Sequence, residues 1–173
     1  MWLYEHNEDN SARYILGEQG RNMLACFGIN PSTATPEALD PTLSQVKKRA
    51  AMYGYDGWVM FNVYPQRSTD PNGLHSEPDM FLHAENMRVI KEFFESTRCD
   101  IWAAWGTLVN KRRYLPACVS EIAGYTEMCR WLKIGKLSVQ GHPHHPLYLS
   151  HKYEPEPFDI EGYLASLHNQ EAG

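Results

Sequence analysis

Three short loops hold the residues best suited to chemistry: Gly28-Ile29-Asn30-Pro31-Ser32, Phe61-Asn62-Val63-Tyr64-Pro65-Gln66-Arg67, and Gly141-His142-Pro143-His144-His145-Pro146-Leu147-Tyr148. In the first, Gly28 allows a sharp exit from a strand and Pro31 stiffens the turn. Asn30 then offers a neutral amide, which positions a water or reads a heterocycle edge but does not titrate as a general base. Taken alone, these residues are also an ordinary Asn–Pro turn closing a strand. In the second loop the carboxamide of Asn62 follows a buried apolar run and supplies one donor and one acceptor, the pairing that reads a pyrimidine or purine edge. Arg67 reaches a phosphate or carboxylate bidentately, or pairs with Asp70 close by. The third loop packs three histidines between two prolines, whose fixed backbone holds at least one imidazole in place. Such a ring serves as acid or base near neutral pH, or steadies a departing anion.

These loops need strands to present them. Met23–Phe27, 57–62, 100–105 and 130–134 are short apolar runs ended by Gly, Asn or polar residues, the pattern of buried strands. Helical patterns lie between them. One runs from Pro41 to Tyr53, capped by Asp40 or Thr42. A second is capped by Asp79, with Met80, Ala84, Met87, Ile90 and Phe94 as its stripe. A third runs from Thr107 to Gly124 with a break at Pro116, and a last one from Asp159 to His168. Trp2–His6 and Arg13–Gly17 read as an N-terminal hairpin around a polar turn. Alternation of this kind predicts an α/β fold: three layers, α/β/α, with a central four-stranded parallel sheet plus the hairpin. Ligands of such sheets bind outside the carboxyl ends of the strands, where all three loops fall. Trp105 and Gly106 end the third strand at the same place.

Composition narrows the classes. The chain has 173 residues, 43% of them hydrophobic, enough for one domain over 1–173 with a real core. No apolar stretch approaches the ~18 residues of a membrane span, and the acidic start carries no secretory signal. A cytoplasmic protein without membrane contact is expected. A net charge of −5 argues against a tight non-specific grip on duplex DNA. Lys47-Lys48-Arg49 and Lys111-Arg112-Arg113 are local basic patches or solvated helix faces. The four cysteines form no CxxC pair, and Cys26 and Cys99 read as small buried hydrophobes. His142, His144 and His145 are dense enough to raise zinc, but their spacing has no helical i, i+4 pair and no partner acid. No metal and no cofactor are expected.

From Arg13 to Leu149 the sequence resembles the bacterial and phage domain-of-unknown-function family numbered 1643. The likeness is carried by RYIL, GINPSTA, DPT at 40–42, GYDGWVMFNVYPQRSTDP, AAWG and PHHPLYL. It also resembles the uracil-DNA glycosylase superfamily, whose mismatch-specific branch has GINPG where this chain has GINPS. That resemblance implies a uracil-DNA glycosylase-like fold. It implies Asn30 as the catalytic residue holding the attacking water, Asn62 as base reader, and His145 (His142 in the alternative register) steadying the leaving base. Gly28, Ile29, Pro31, Ser32, Arg67, Trp105 and Tyr148 would complete the substrate site. Ser32 departs from the family glycine, the HPSP serine-proline step is absent, and no Asp stands in the first motif.

The expected function is an N-glycosidase acting on a modified or mismatched base in DNA or in a free nucleotide or nucleoside. The alternative is a non-catalytic nucleotide or nucleic-acid binding module on the same fold, and a histidine-metal hydrolase is third.

Overall fold

The computed structural model describes residues 1–171. Seven strands and four helices follow one another as β1 (Trp2–His6), β2 (Arg13–Glu18), β3 (Met23–Gly28), α1 (Pro41–Met52), β4 (Gly57–Asn62), α2 (Met80–Ser96), β5 (Asp100–Ala103), α3 (Leu115–Tyr125), β6 (Trp131–Ile134), β7 (Pro155–Pro157) and α4 (Ile160–Glu171), with 3-10 turns at Pro71–Gly73 and Gly106–Asn110. All seven strands join one mixed sheet in the order β1-β2-β4-β3-β5-β6-β7. β3 pairs in parallel with both β4 and β5, and β5 pairs in parallel with β6. The pairs β1/β2, β2/β4 and β6/β7 are antiparallel.

β3 and β4 are buried along their whole length because neither face meets water, which is why they read as unbroken apolar runs. On one face Ala25, Phe27 and Phe61 pack against α2, α3 and α4. On the other, Leu24, Cys26 and Met60 pack against Leu43, Val46 and Ala50 of α1. The strand order reverses at β3: the chain leaves it through α1 on one face to reach β4, whereas β5 leaves through α3 on the other face to reach β6. A crevice opens beyond the carboxyl ends of strands that diverge in this way. Its walls are the loops after β3, β4 and β5 together with His145.

Several expectations need correction. The hairpin, expected to add to the sheet or flank it, adds to it: β2 bonds β4 through Leu16–Met60, Gly17–Val59 and Glu18–Trp58; the strand β7 on the far edge was not expected. β5 ends at Ala103: Ala104 still donates to the Phe27 carbonyl of β3, and Trp105 leads into the 3-10 turn. The helix expected from Thr107 is that turn followed by α3. Pro116 sits in the first turn of α3, where its missing N–H costs nothing, and does not break a longer helix. Asp79 caps α2 by accepting from the N–H groups of Phe81 and Leu82, but the buried stripe of α2 is Leu82, Asn86, Met87, Val89 and Ile90. Met80, placed on that stripe by its spacing, is 64% exposed. The described residues contain no helix long and apolar enough to cross a membrane.

Candidate functional site

The loops after β3 and β4 are zipped by backbone bonds. Val63 and Tyr64 donate to the carbonyls of Gly28 and Ile29, and Ser68 donates to that of Pro31. Between them lies a half-open cavity of about 90 Å³. An apolar cavity of roughly 150 Å³ holds a benzene ring, so this space takes one ring edge or a small group and not a two-ring system.

Asn62 forms the floor. It is 1% exposed, and neither its Oδ1 nor its Nδ2 has a protein partner. Leaving such atoms unmade costs about 1–3 kcal/mol each. Behind it Asn86 of α2 donates to the Asn62 backbone carbonyl at 2.9 Å, which fixes the strand end without touching its amide. Gly28 lies directly across from Asn62 in the β3/β4 register. A Cβ there would stand 2.7 Å from Met60 Cε and 3.2 Å from Asn62 Oδ1, so glycine keeps the amide free.

His145 also lines the cavity. Leu147 N–H donates to its Nδ1 at 3.2 Å, so that nitrogen is the acceptor and the neutral ring carries its proton on Nε2. Burial pushes its pKa down, the neighbouring His144 adds to that, and Asp40 opposes it. The ring is thus held as a neutral donor. The loop is tied to the end of β5 by Gly106, whose N–H donates to the Pro143 carbonyl. Gly106 takes φ +64°, the region that favours glycine, and the Cβ of His145 is the nearest side-chain atom to it.

Asn30 also lines the cavity, with Ile29, Pro31, Ser32 and Trp105 beside it. Its Nδ2 donates to the carbonyls of Pro31 and Ser68 at 3.0 Å and of Gln66 at 3.4 Å. Only Oδ1 remains to face a ligand.

Three expected site residues stand elsewhere. His142 is buried behind the cavity, its Nδ1 2.8 Å from the Tyr163 hydroxyl and its Nε2 3.3 Å from the Asn110 amide. Trp105 Nε1 donates to the same hydroxyl, so His142 is part of the packing that seats Trp105. Arg67 is off the cavity: it donates to the carbonyls of Ser32 and Ala34, to Asn10 and to the Tyr4 hydroxyl. Its suggested partner Asp70 instead caps the turn at Asn72. Tyr148 is 99% exposed and points away from the cavity lining.

Two charged lining residues were not among the expected site residues. Asp40 caps α1 by accepting from Leu43 N–H through Oδ1, and it is the one acid on the cavity wall. Arg13, at the start of β2, is 1% exposed on the same wall. The basic triplets are half spent: Arg49 is buried on the carbonyls of Leu149 and Ser150, Lys47 pairs with Glu18, and Arg112 grips the carbonyls of Asn72, Leu74 and His75, whereas Lys48, Lys111 and Arg113 stay exposed. Among the described residues no group of three or more His, Cys, Asp or Glu side chains is placed to hold a metal. Cys118 is buried with Cys26, whereas Cys99 and Cys129 are only partly so.

Over residues 13–147 the chain matches the family model described as "Protein of unknown function (DUF1643)". No curated protein and no solved structure matches it.

Proposed function

Because the chain belongs to DUF1643, a family defined without an activity, we propose its function from the cavity itself: N-glycosidase-like cleavage of a nucleobase, on a uracil-DNA glycosylase-like form of the α/β fold. The observation that carries this reading is the buried Asn62 amide, with donor and acceptor both unpartnered in a cleft that admits one ring edge. Two adjacent, opposite hydrogen-bonding groups match the edge of a base. His145 lines the same cavity with Nε2–H available, the group needed where negative charge develops on a leaving base.

In this mechanism Asn62 holds the base and the glycosidic electron pair departs with it. The attacking water is oriented by Asn30 Oδ1, and its oxygen bonds to the anomeric carbon. The proton it sheds goes to the carboxylate of Asp40, through the oxygen not used in capping α1. Nε2–H of His145 stabilises the base anion. The size of the cleft and the net charge of −5 support a single-ring base on a small nucleotide or nucleoside over a base in duplex DNA.

A binding module is favoured by one observation: Asn30 spends its Nδ2 on loop carbonyls, as a scaffolding residue does. Base release from a panel of DNA, nucleotides and nucleosides, run beside equilibrium binding, separates the two. Release by wild type that Asn62→Ala weakens through affinity supports the glycosidase. Binding without release from any panel member makes the module the better reading.

A further inference from the structure

Arg13 opens β2 within the RYIL run, and nothing in the mechanism above uses it. Its guanidinium lies on the cavity wall with Asn62, 1% exposed. Nη1 donates to the Ala34 carbonyl at 3.3 Å. Nε and Nη2 have no protein partner. Those two nitrogens form one edge of the guanidinium, with parallel N–H bonds spaced to take two oxygens of a carboxylate or phosphate at once. Among the described residues no acid forms an ion pair with it. Asp40 attracts the guanidinium from across the wall, Arg67 repels it from behind, and the Tyr4 phenol contributes weakly.

A buried cation with an open fork is costly unless something fills the fork. The same fold answers an equally buried arginine more fully: Arg49 places its two terminal nitrogens on Tyr53, Leu149 and Ser150 and leaves Nε alone unpartnered. At Arg13 the protein supplies one long bond and leaves both Nε and Nη2 unpartnered on a residue that lines the cleft. Burial lowers the pKa to about 10, which leaves the group charged at neutral pH.

We propose that Arg13 is an oxyanion receptor, so that the ligand of this cavity carries a carboxylate or phosphate within reach of the edge that Asn62 reads. The base-reading half of this statement rests on the proposed function, whereas the anion half rests on Arg13 alone. Two sources supply the chemistry: the phosphate of a nucleotide, or a carboxylate on a pyrimidine ring.

The experiment is calorimetric binding to the full chain at low ionic strength. The probes are inorganic phosphate, uridine and cytidine against their 5′-monophosphates, and uracil against orotate. At least tenfold tighter binding of one acidic probe than of its neutral counterpart is expected, and the pair that shows it identifies the source. Arg13→Met should abolish that difference. Arg13→Lys keeps the charge without the fork, should lose most of the preference, and decides the matter if the Met variant does not fold. The proposal is overturned if no acidic probe is preferred, or if the preference survives in the variants. An acidic probe that binds with no base released from any substrate removes the glycosidase and leaves the oxyanion site standing. Base release equal in wild type and Arg13→Met does the reverse.

Discussion

The two sides of the 28–34 loop use the same residue types in opposite ways. On the outer side Arg67 and the Nδ2 of Asn30 are answered by backbone carbonyls and neighbouring side chains. On the inner side Arg13 and Asn62 are more deeply buried, yet four of their side-chain atoms lack a protein partner. Both arginines even reach the same Ala34 carbonyl. Chemical type therefore does not separate scaffold from site here. What separates them is whether the fold has already spent the group's hydrogen bonds.

The sharpest way to break this comparison is at His145. A donor that meets charge only in the transition state affects rate more than binding. His145→Ala should lower turnover by about 10²–10³-fold, the usual cost of removing one such donor, while nucleotide affinity by calorimetry stays near wild type. Equal losses in both quantities would put His145 among the ground-state binding groups.

Next in size is the scaffold side. Arg67→Ala strips charged donors from two carbonyls, Asn10 and Tyr4. It should cost on the order of 2–3 kcal/mol of stability by denaturant titration, since hydrogen bonds to charged groups contribute about 1.5–3 kcal/mol. If stability is untouched and ligand affinity falls instead, Arg67 belongs to the inner side after all.

The inner side predicts the opposite sign. Asn62→Leu replaces an unpartnered buried amide by an apolar group of similar size, and its backbone carbonyl keeps the bond from Asn86. Stability should hold or rise by up to about 1 kcal/mol, because the desolvated amide gained nothing from the protein. Base binding should be lost. A large destabilisation would mean that the amide is answered within the folded chain.

Much of this inner side was legible in the sequence. Asn62 stands out because a carboxamide closes an unbroken apolar strand, and His145 because prolines pin its loop. Arg13 was not legible, since it borders a polar hairpin turn and reads as the start of an exposed strand. It reaches the cavity only through the β2/β4 pairing and the bridge between Ala12 and Gln66, contacts that cross some fifty residues of chain. Asp40 was visible only as a cap, because a cap's second oxygen leaves no mark in the sequence. Asn86 had a signal that was passed over: it lies four residues after Leu82 and four before Ile90, a polar residue on the apolar stripe of α2. The expected stripe had Met87 and Ile90 right, but Met80 and Ala84, both exposed, stood in it where Leu82, Asn86 and Val89 belong.

The smallest expected effect concerns the histidines on either side of the boundary. His142 is spent on packing and His145 faces the cleft, yet burial pushes the pKa of both below the ordinary value of 6.5, helped at His145 by His144. In the unfolded chain both titrate near that ordinary value. Above it, neither state is protonated and the two rings contribute no pH dependence. As pH falls below it, the unfolded chain takes up protons before the folded one does, so stability declines until the depressed folded pKa values are passed. Carboxylates such as Asp100 and Glu18 are held below their ordinary values of 3.8 and 4.5 and act only at lower pH. Denaturant midpoints measured at pH 7.5 and 5.5 should therefore fall on acidification, and the fall should be smaller in His142→Gln and smallest in the variant carrying both His142→Gln and His145→Gln. An oxyanion probe seated on Arg13 beside His145 favours the protonated ring, so saturating phosphate or nucleotide should shrink the contribution of His145 and leave that of His142 unchanged. A ligand that alters both alike would mean that the two histidines share one environment, and the division between packing and site would have to be redrawn through Tyr163.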